Sequence, residues 1–406
     1  MTKLLWKEKR RIDIRGKIVS INAGSTSIKM AIYDDFAIQD GQTTPLAEYR
    51  WEKDVKKATV KFGVHKYVHD VPFESHTEAF KDGINRFKRA ESFKYSNEII
   101  TVVNRAVNGG ELLQSPDPIE ITTEVQKEFE RNIDLAPNHN PPALEVSKAA
   151  QKLFYGAKHY YMFDTGWHST MPIMNQLYAL PKECFEKVGI RAFGAHGIVY
   201  MDNTKRAAQK LNISEDKVNL ILLHLGGGCS ANAVKNGKSI DTTMGYTPID
   251  GLMMATRCGH IDPGVFPKLV EYYGSVKKVM EVMTKKSGFY GLTGEADMRL
   301  VKKLAEEGDE MANVAIERFI NEVRKVIGAY MAELDYEVDA IVCSGGIAEN
   351  DTEILRRIFE GYENVGLSLS KDTTKITDEE CCYIPVMVIQ ANEELAMAKA
   401  VLKEVI

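Results

Sequence analysis

The chain has 406 residues, a hydrophobic fraction of 44% and a formal net charge of −5, which predicts two or three domains with full cores. Its pI of about 6.1 provides no positive field that would attract nucleic acid. No apolar run reaches the roughly 20 residues that a membrane helix needs, so we expect no membrane partner. The six cysteines form no CxxC pair, which favours a reducing, cytoplasmic setting.

The first predicted element is a strand that ends in a small polar turn. The apolar stretch Ile18–Ile21 leads into the turn Asn22–Ser27, and the alternating stretch Ile28–Tyr33 leaves it. This pattern predicts two strands joined by a turn. Because small residues let backbone N–H groups approach an anion, the turn is a candidate phosphate site.

The next segments alternate between strand and helix patterns. Strands are predicted at Ile99–Val103 and Lys158–Phe163, and a helix is predicted between them at Glu124–Arg131. This alternation is typical of an α/β fold. A domain junction is predicted near Asp164–His168.

A second strand, turn and strand pattern occupies the middle of the chain. The apolar stretch Leu220–Leu225 breaks at Gly226-Gly227-Gly228, and a second alternating stretch, Ser230–Val234, ends at Asn236-Gly237, a dipeptide that favours a tight hairpin. Two copies of one phosphate hairpin indicate a duplicated architecture. The chain therefore is expected to bind a nucleotide.

The last part of the chain predicts a long helix, a strand and a terminal helix. Glu310–Leu334 has the apolar spacing of an amphipathic helix and leads into the strand Ala340–Cys343. The strand breaks at Gly345-Gly346, where a base or ribose could approach the backbone. The terminal helix, Glu393–Val405, is expected to pack back on the first domain.

Eight motifs in the same order resemble the acetate and short-chain carboxylate kinase family: INAGSTSIK, NRAVNGG, LAPNHNPP, FDTGWHSTMP, GAHG, HLGGGCS with DTTMGYTPIDGLMMATRCGHIDP, GGIAEN and ANEEL. The resemblance implies two duplicated ribonuclease H-like domains of the actin, hexokinase and Hsp70 type. Each domain would hold a mixed five-stranded sheet flanked by helices, with the active site in the cleft between them. The expected boundaries are residues 1–165 plus 392–406 for the N-terminal domain and 166–391 for the nucleotide-binding domain.

The implied reaction is the reversible, Mg²⁺-dependent transfer of a phosphoryl group from ATP to a small carboxylate, which yields an acyl phosphate and ADP. Mn²⁺ is an alternative ion, and a homodimer is the expected assembly. On the family's pattern, Arg105 binds the substrate carboxylate, because a guanidinium meets a carboxylate bidentately. The expected catalytic residues are Asp164, His196, Arg257 and His139. The expected acyl pocket is lined by Val107, Asn138, Ala195 and Pro248.

The resemblance also assigns the nucleotide and the metal. The residues expected at the phosphates and the adenosine are Asn22, Ser25, Lys29, His224, Gly226, Gly227, Gly228, Gly345, Gly346, Ile347 and Asn350. Glu393 is the expected Mg²⁺ carboxylate together with Asn22, and Glu394 is its close rival. Simple structural explanations compete: Glu393 could cap a helix, and Arg257 could form a structural ion pair with Asp262.

The chain departs from the family's usual motifs at several positions. Asparagines 104 and 108 stand where histidines are usual, Gly227 replaces an asparagine, and His260 replaces an aspartate. Ala195 replaces an aromatic residue and Asn138 a leucine, which predicts a wider and more polar acyl pocket. Acetate is nevertheless the first expectation. The alternatives are a kinase for a larger or hydroxylated short-chain acid, and a non-catalytic nucleotide sensor on the same fold.

Overall fold

The computed structural model describes residues 16–362, 367–368 and 384–405. The first sheet has eight strands in the spatial order β5-β4-β3-β2-β1-β6-β8-β7. Strand β1 is antiparallel to β2 and parallel to β6, which is in turn parallel to β8. The bounds of these strands are β1 (Lys17–Ala23), β2 (Ser27–Asp34), β3 (Ala47–Glu52), β4 (Lys57–Phe62), β5 (His65–Asp70), β6 (Ile99–Ala106), β7 (Ile119–Glu120) and β8 (Lys158–Phe163).

Helices cover the face of this sheet that carries its largest side chains. Met30, Tyr49 and Trp51 pack there against Phe80 and Val146 in one buried cluster. The second helix begins after Ser75, whose side chain accepts a hydrogen bond from the Glu78 N–H and so caps the helix. The helices of this half are α1 (Asp35–Gln39), α2 (His76–Arg89), α3 (Thr123–Arg131) and α4 (Asn140–Leu153).

The second sheet has six strands in the order β11-β10-β9-β12-β14-β13. The predicted hairpin turn is confirmed, since Asn236 and Gly237 have φ values of 52° and 68°, as a tight hairpin requires. A Cβ at Gly237 would lie 1.9 Å from the Glu215 carbonyl oxygen, so only glycine fits. The strands are β9 (Leu220–Leu225), β10 (Cys229–Lys235), β11 (Lys238–Thr242), β12 (Ala340–Ser344), β13 (Leu367–Ser368) and β14 (Ile384–Val388).

The long helix predicted near residue 310 is confirmed. It begins after Asp309, which accepts a hydrogen bond from the Ala312 N–H, and its apolar stripe, including Phe319 and Val323, packs on the second sheet. The helices of this half are α5 (Ile173–Gln176), α6 (Lys182–Glu186), α7 (Gly197–Leu211), α8 (Val265–Tyr273), α9 (Val276–Lys285), α10 (Gly288–Thr293), α11 (Met298–Glu306), α12 (Glu310–Glu333), α13 (Gly346–Asn350) and α14 (Thr352–Phe359).

The terminal helix α15 (Glu393–Val405) packs on the first sheet, as the sequence predicted. Its residues Met397 and Val401 are fully buried against Ala31 and Val103, and Ile198 of α7 joins the same cluster. This packing places the first turn of α15 beside the carboxyl end of β1. No helix in the described ranges combines the length and the apolar composition needed to cross a membrane.

The expected width of five strands per sheet is wrong for both halves. Strands β4 and β5 extend the first sheet beyond β3, and the short β7 adds to its other edge. Strand β5 is almost wholly exposed, so it lacks the alternation that marks a half-buried strand. His65 and His69 lie on this strand, and the described residues contain no group of three His, Cys, Asp or Glu side chains arranged to hold a metal ion.

Candidate active site

Three polar side chains meet where parallel strands of the first sheet end. Asn22 lies near the end of β1, Arg105 near the end of β6, and Asp164 directly after β8. Arg105 Nη2 donates to Asp164 Oδ2 at 2.5 Å, and its Nε donates to Asp164 Oδ1 at 3.1 Å. Its Nη1 donates to Asn22 Oδ1 at 3.0 Å. The guanidinium is therefore held on three sides, as a fixed cation must be to orient a substrate.

Two carboxylates from the first turn of α15 complete this cluster. Asn22 Nδ2 donates to Glu393 Oε2 at 2.5 Å and to Glu394 Oε1 at 3.3 Å, and Glu393 Oε1 lies 3.7 Å from Arg105 Nε. Burial acts to raise the pKa of Glu393, but Arg105 and Lys29 hold it below its ordinary value. Burial raises the pKa of Glu394. The pair thus offers ionisable oxygen ligands, which suit Mg²⁺.

Asp164 is ionised at neutral pH in spite of its burial. Its side chain is only 1% exposed. Burial raises the pKa of this carboxyl and the Arg105 guanidinium opposes the rise, which leaves the pKa at about 6. Desolvation of a carboxylate is tolerated where a cation is hydrogen-bonded to both of its oxygens. Asp164 therefore fixes the direction of the Arg105 guanidinium.

The second sheet brings two histidines and an arginine to the opposite wall. His196 precedes α7 with a left-handed backbone (φ 60°), a strained conformation for a residue with a side chain. Its ring centre lies 4.6 Å from that of His224, and His224 Nδ1 is 3.1 Å from Ser344 Oγ. Arg257 Nη1 donates to the Pro248 carbonyl oxygen at 3.0 Å. The ion pair with Asp262, which was the alternative explanation for Arg257, does not form, since Asp262 accepts from the Gly264 N–H instead.

The glycine turn after β9 leaves a gap between these side chains. A Cβ at Gly228 would lie 3.2 Å from His196 Nε2 and 3.8 Å from Arg257 Nη1. The absent side chain therefore leaves room for a small group that contacts a histidine and an arginine together. A tetrahedral anion suits such a position.

The site histidines are neutral at physiological pH. His139 stands directly before α4. Two prolines in the first turn of α4 favour the start of the helix at this point. Burial, with further effects from Arg105 and Arg257, lowers the pKa of His139 to about 3. Burial, His224 and the same two arginines lower the pKa of His196. His139 Nδ1 is buried and has no hydrogen-bond partner in the described part of the chain, which leaves one polar atom for a ligand.

A cavity of about 870 Å³ opens beside the same glycine turn. Its walls include Gly226 and Gly227 from the turn and Gly346, Ile347 and Asn350 from α13. Gly345 has φ 87°, and a Cβ there would lie 2.7 Å from the Leu225 carbonyl oxygen, so the two segments touch through backbone alone. Six further residues line the cavity: Arg50, Ala296, Asp297, Met298, Arg299 and Asp351.

Other expected site residues lie at the rim or in the walls. Ser25 and Lys29 are exposed near the first turn, and Lys29 acts on Glu393 and Glu394 through its charge. Val107 and Ala195 are buried, whereas Asn138 and Pro248 are partly exposed.

Two of the departures from the family's motifs have structural roles. Asn108 is buried and accepts a hydrogen bond from the Gly110 N–H at 2.9 Å, so it braces the turn after Arg105. Asn104 is also buried, and its amide donates to the Tyr160 carbonyl oxygen at 3.4 Å. Neither side chain belongs to the polar cluster around Arg105.

The sequence patterns did not predict several residues that contact the site through other side chains. Ser230 Oγ lies 2.8 Å from His196 Nδ1, and Tyr200 bonds to the same hydroxyl. These contacts join residues 30 or more positions apart, so spacing along the chain carries no signal for them. Asp297 and Arg299 were missed at the cavity for the same reason.

Two mixed sheets that present glycine turns and fixed cations to a shared cleft define a phosphotransferase of the ribonuclease H-like class. Comparison with known proteins narrows the class. The sequence profile of the Acetokinase family matches residues 17–399, and the chain belongs to this family. This confirms the prediction of a kinase with a carboxyl group as acceptor and ATP as donor.

Named relatives agree with the family. The chain is 37% identical to the acetate kinase of Bacillus cytotoxicus over 396 residues, which are 95% of this chain and 98% of that protein. A propionate kinase structure from Francisella tularensis has a TM-score of 0.85 at 34% identity and covers 95% of this chain and 98% of its own. The acetate kinase structure of Porphyromonas gingivalis has a TM-score of 0.84 at 32% identity, with 96% and 100% covered.

Proposed function

We propose that this kinase transfers the terminal phosphoryl group of ATP to acetate in one reversible, in-line step. A carboxylate oxygen of acetate forms a bond to the γ-phosphorus while the bond to the bridging oxygen of ADP breaks, so ADP leaves with the electron pair. Acetate is already ionised at neutral pH, and no general base is needed. The observation that carries the proposal is the largely buried Arg105, which is held by Asp164 and Asn22 and whose charge acts on the neutral His139.

The side chains divide between orientation and charge stabilisation. Arg105 holds the acetate carboxylate, and Asp164 holds Arg105. His196 and Arg257 flank the gap at Gly228, where they would donate hydrogen bonds to the equatorial oxygens as charge spreads over them. His139 supports the same charge as a neutral donor. Closure of the two halves would exclude water, which otherwise hydrolyses an acyl phosphate.

The residues fit a Mg²⁺ ion that arrives with the nucleotide. Glu393 and Glu394 offer carboxylate oxygen atoms within one cluster, in which Asn22 contacts both through its amide nitrogen, although no three acidic or histidine side chains among the described residues make a ready cage. Mg²⁺ in kinases is bound by one or two carboxylates together with phosphate oxygens and water, so this sparse set is sufficient. The bound ion supplies charge neutralisation of the phosphates.

The cavity beside Gly226 and Gly227 is the proposed adenosine site. Gly346, Ile347 and Asn350 form its opposite side, as the GGIAEN motif implied. The first turn, with Asn22, Ser25 and Lys29, and the second, with His224 and the three glycines, would meet the phosphates from the two walls. With this arrangement we expect the γ-phosphate near Gly228 and the acceptor near Arg105.

We also propose the division at residues 165 and 391 and a homodimeric assembly. Two buried clusters lie within residues 19–163 and two others within residues 167–389, which supports the division. Helix α8 (Val265–Tyr273) buries none of its residues although its sequence is largely apolar, and Tyr272 is 81% exposed. A second copy of the chain would cover this face. Four free thiols in the described residues fit a reducing cytoplasm.

A hydroxamate assay with ATP and Mg²⁺ tests the function. Acetate, propionate, butyrate and lactate are compared by kcat/KM, and the omission of metal tests the ion. We expect acetate to give the highest value. A clear preference for a longer or hydroxylated acid would contradict acetate and support the wider pocket around Ala195 and Asn138. Light scattering over a range of concentrations tests the dimer, and a monomer at micromolar concentration would contradict it.

A further inference from the structure

A buried chain of hydroxyl groups lies behind His196. Tyr200, on the first turn of α7, bonds through its Oη to Ser230 Oγ, and Ser230 Oγ lies 2.8 Å from His196 Nδ1. Both Tyr200 and Ser230 have no exposed surface. The other ring nitrogen of His196, Nε2, faces the gap at Gly228 that Arg257 also borders. The chain of hydroxyls thus begins in the core and ends one ring away from that gap.

The hydrogen bonds that link Tyr200, Ser230 and His196 can run in only one direction if every hydroxyl proton is to have an acceptor. Each hydroxyl carries a single proton, and a neutral imidazole carries one. If Tyr200 donates to Ser230 and Ser230 donates to His196 Nδ1, each hydroxyl proton has an acceptor. In the opposite direction the Tyr200 proton would have no acceptor in the described part of the chain, and a buried O–H without an acceptor is unfavourable.

The surroundings of Tyr200 agree with this direction. Burial raises the pKa of Tyr200, so the phenol keeps its proton. Ser230 Oγ is the hydrogen-bond partner of the phenol in the described part of the chain, so this proton is available to Ser230. His196 itself is kept neutral by its burial and by the cations Arg105 and Arg257, so its tautomer decides what it offers to the gap.

We propose that Tyr200 and Ser230 are positioning residues that hold His196 as the tautomer with its proton on Nε2. The N–H then points toward Gly228, where an oxygen of the transferring phosphoryl group would accept it. The opposite tautomer would present a lone pair to an anion and repel it. The role in transfer rests on the proposed function, whereas the tautomer itself does not.

Nitrogen-15 NMR of the histidine-labelled protein without substrates tests the tautomer. The chemical shifts of Nδ1 and Nε2 report which nitrogen carries the proton, and the His196→Gln variant identifies the His196 signals among the nine histidines. We expect the proton on Nε2. A proton on Nδ1 would overturn the proposal even if the enzyme turns over acetate, and loss of turnover would leave the NMR result intact.

The Tyr200→Phe variant tests positioning and retains the ring that packs in the core. We expect the Nε2–H population relative to Nδ1–H and the kcat each to fall about tenfold, the equivalent of one net hydrogen bond, with the KM for ATP within about twofold. The matched control is Tyr161→Phe, which removes the buried bond between Tyr161 Oη and Ser147 Oγ (2.5 Å), a pair with no histidine attached.

Thermal unfolding of both variants separates positioning from stability. We expect Tyr200→Phe and Tyr161→Phe to lower Tm by similar amounts. Only Tyr161→Phe should keep the tautomer and the kcat of the unaltered protein. If Tyr200→Phe matches Tyr161→Phe in kcat, or keeps the tautomer of the unaltered protein, the positioning role is wrong. Ser230→Ala, which removes the Nδ1 partner outright, is expected to lower kcat at least as much as Tyr200→Phe, and a smaller loss would also contradict the proposal.

Discussion

Replacement of Arg105 by methionine tests both the architecture and the chemistry of the cleft wall that the first sheet forms with Arg105, Asp164 and Asn22. Methionine approximates the length of arginine but removes three hydrogen bonds, two to Asp164 and one to Asn22. The loss leaves Asp164, whose side chain is 1% exposed, as a buried carboxylate without its cation. Breaking a buried pair in this way costs about 3–5 kcal/mol of unfolding free energy. The carboxyl also becomes easier to protonate, because Arg105 is the group that most strongly opposes the effect of burial on its pKa.

The sign of the pH dependence follows from that carboxyl. In the variant, the folded-state pKa of Asp164 rises above about 6, the value in the intact site, while the unfolded chain keeps an ordinary aspartate pKa. Between these two values the folded state holds a proton that the unfolded state releases, so stability falls as pH rises through the window. Urea denaturation should therefore show a larger stability loss for Arg105→Met at pH 8 than at pH 5.

A double variant separates stability from binding. In Arg105→Met with Asp164→Asn, the buried carboxylate becomes a neutral amide, and we expect most of the lost stability to return. The KM for acetate should stay raised by about 10- to 100-fold, because a charge-assisted hydrogen bond of about 1.5–3 kcal/mol is still absent.

Arg191→Met is the matched control for the single variant. The Arg191 side chain is 10% exposed, but its partner Glu111 is 63% exposed and stays solvated, so neither the acetate KM nor the pH dependence should change. An acetate KM near that of the unaltered enzyme in the double variant would refute the assignment of Arg105 to the substrate.

Three further predictions follow from single positions. Burial lowers the pKa of His168 to about 4 from an ordinary value of 6.5, so the stabilising effect of the neutral ring is present above pH 6.5 and is lost as pH falls. The unfolding free energy of the unaltered protein should therefore fall between pH 7 and pH 5, and in His168→Asn this fall should be about 2 kcal/mol smaller. Gly228→Ala should keep the fold but lower kcat at least tenfold, because its Cβ would lie 3.2 Å from His196 Nε2. A Cβ at Gly227 meets no atom within 4 Å, so Gly227→Asn should change stability by less than about 0.5 kcal/mol and lower the KM for ATP; a raised KM would contradict the phosphate role.

The parts of the fold that the sequence could predict are those with a strong local signal. The paired runs around Asn22 and Gly226, the hairpin at Asn236-Gly237 and the helix over residues 310–333 each have apolar spacing or a turn dipeptide that decides their structure. Strand β5 had no such signal, because nearly all of its residues are exposed. The width of the first sheet was therefore underestimated.

The candidate site divides in the same way. Arg105, Asp164 and Asn22 were predictable from motifs, and the structure brings them within hydrogen-bond distance of one another. The relation of Glu393 to this cluster depends on α15 returning to the first sheet, a contact that spans 371 positions between Asn22 and Glu393. Local patterns predicted that helix, but only packing could show which of its carboxylates meets Asn22 first.

The two walls of the cleft differ in how their charged groups are held, and this difference bears on the order of events. Arg105 is fixed by an ionised carboxylate and an amide, so its direction does not depend on a ligand. Arg257 has only a backbone carbonyl and the sulfur of Met254 as hydrogen-bond acceptors in the described structure, and burial lowers its pKa. A guanidinium that lacks a carboxylate partner gains most from an arriving anion. If the proposed function holds, we therefore expect the wall of Arg105 to be organised before the acid binds and the wall of Arg257 to be completed by the phosphate itself.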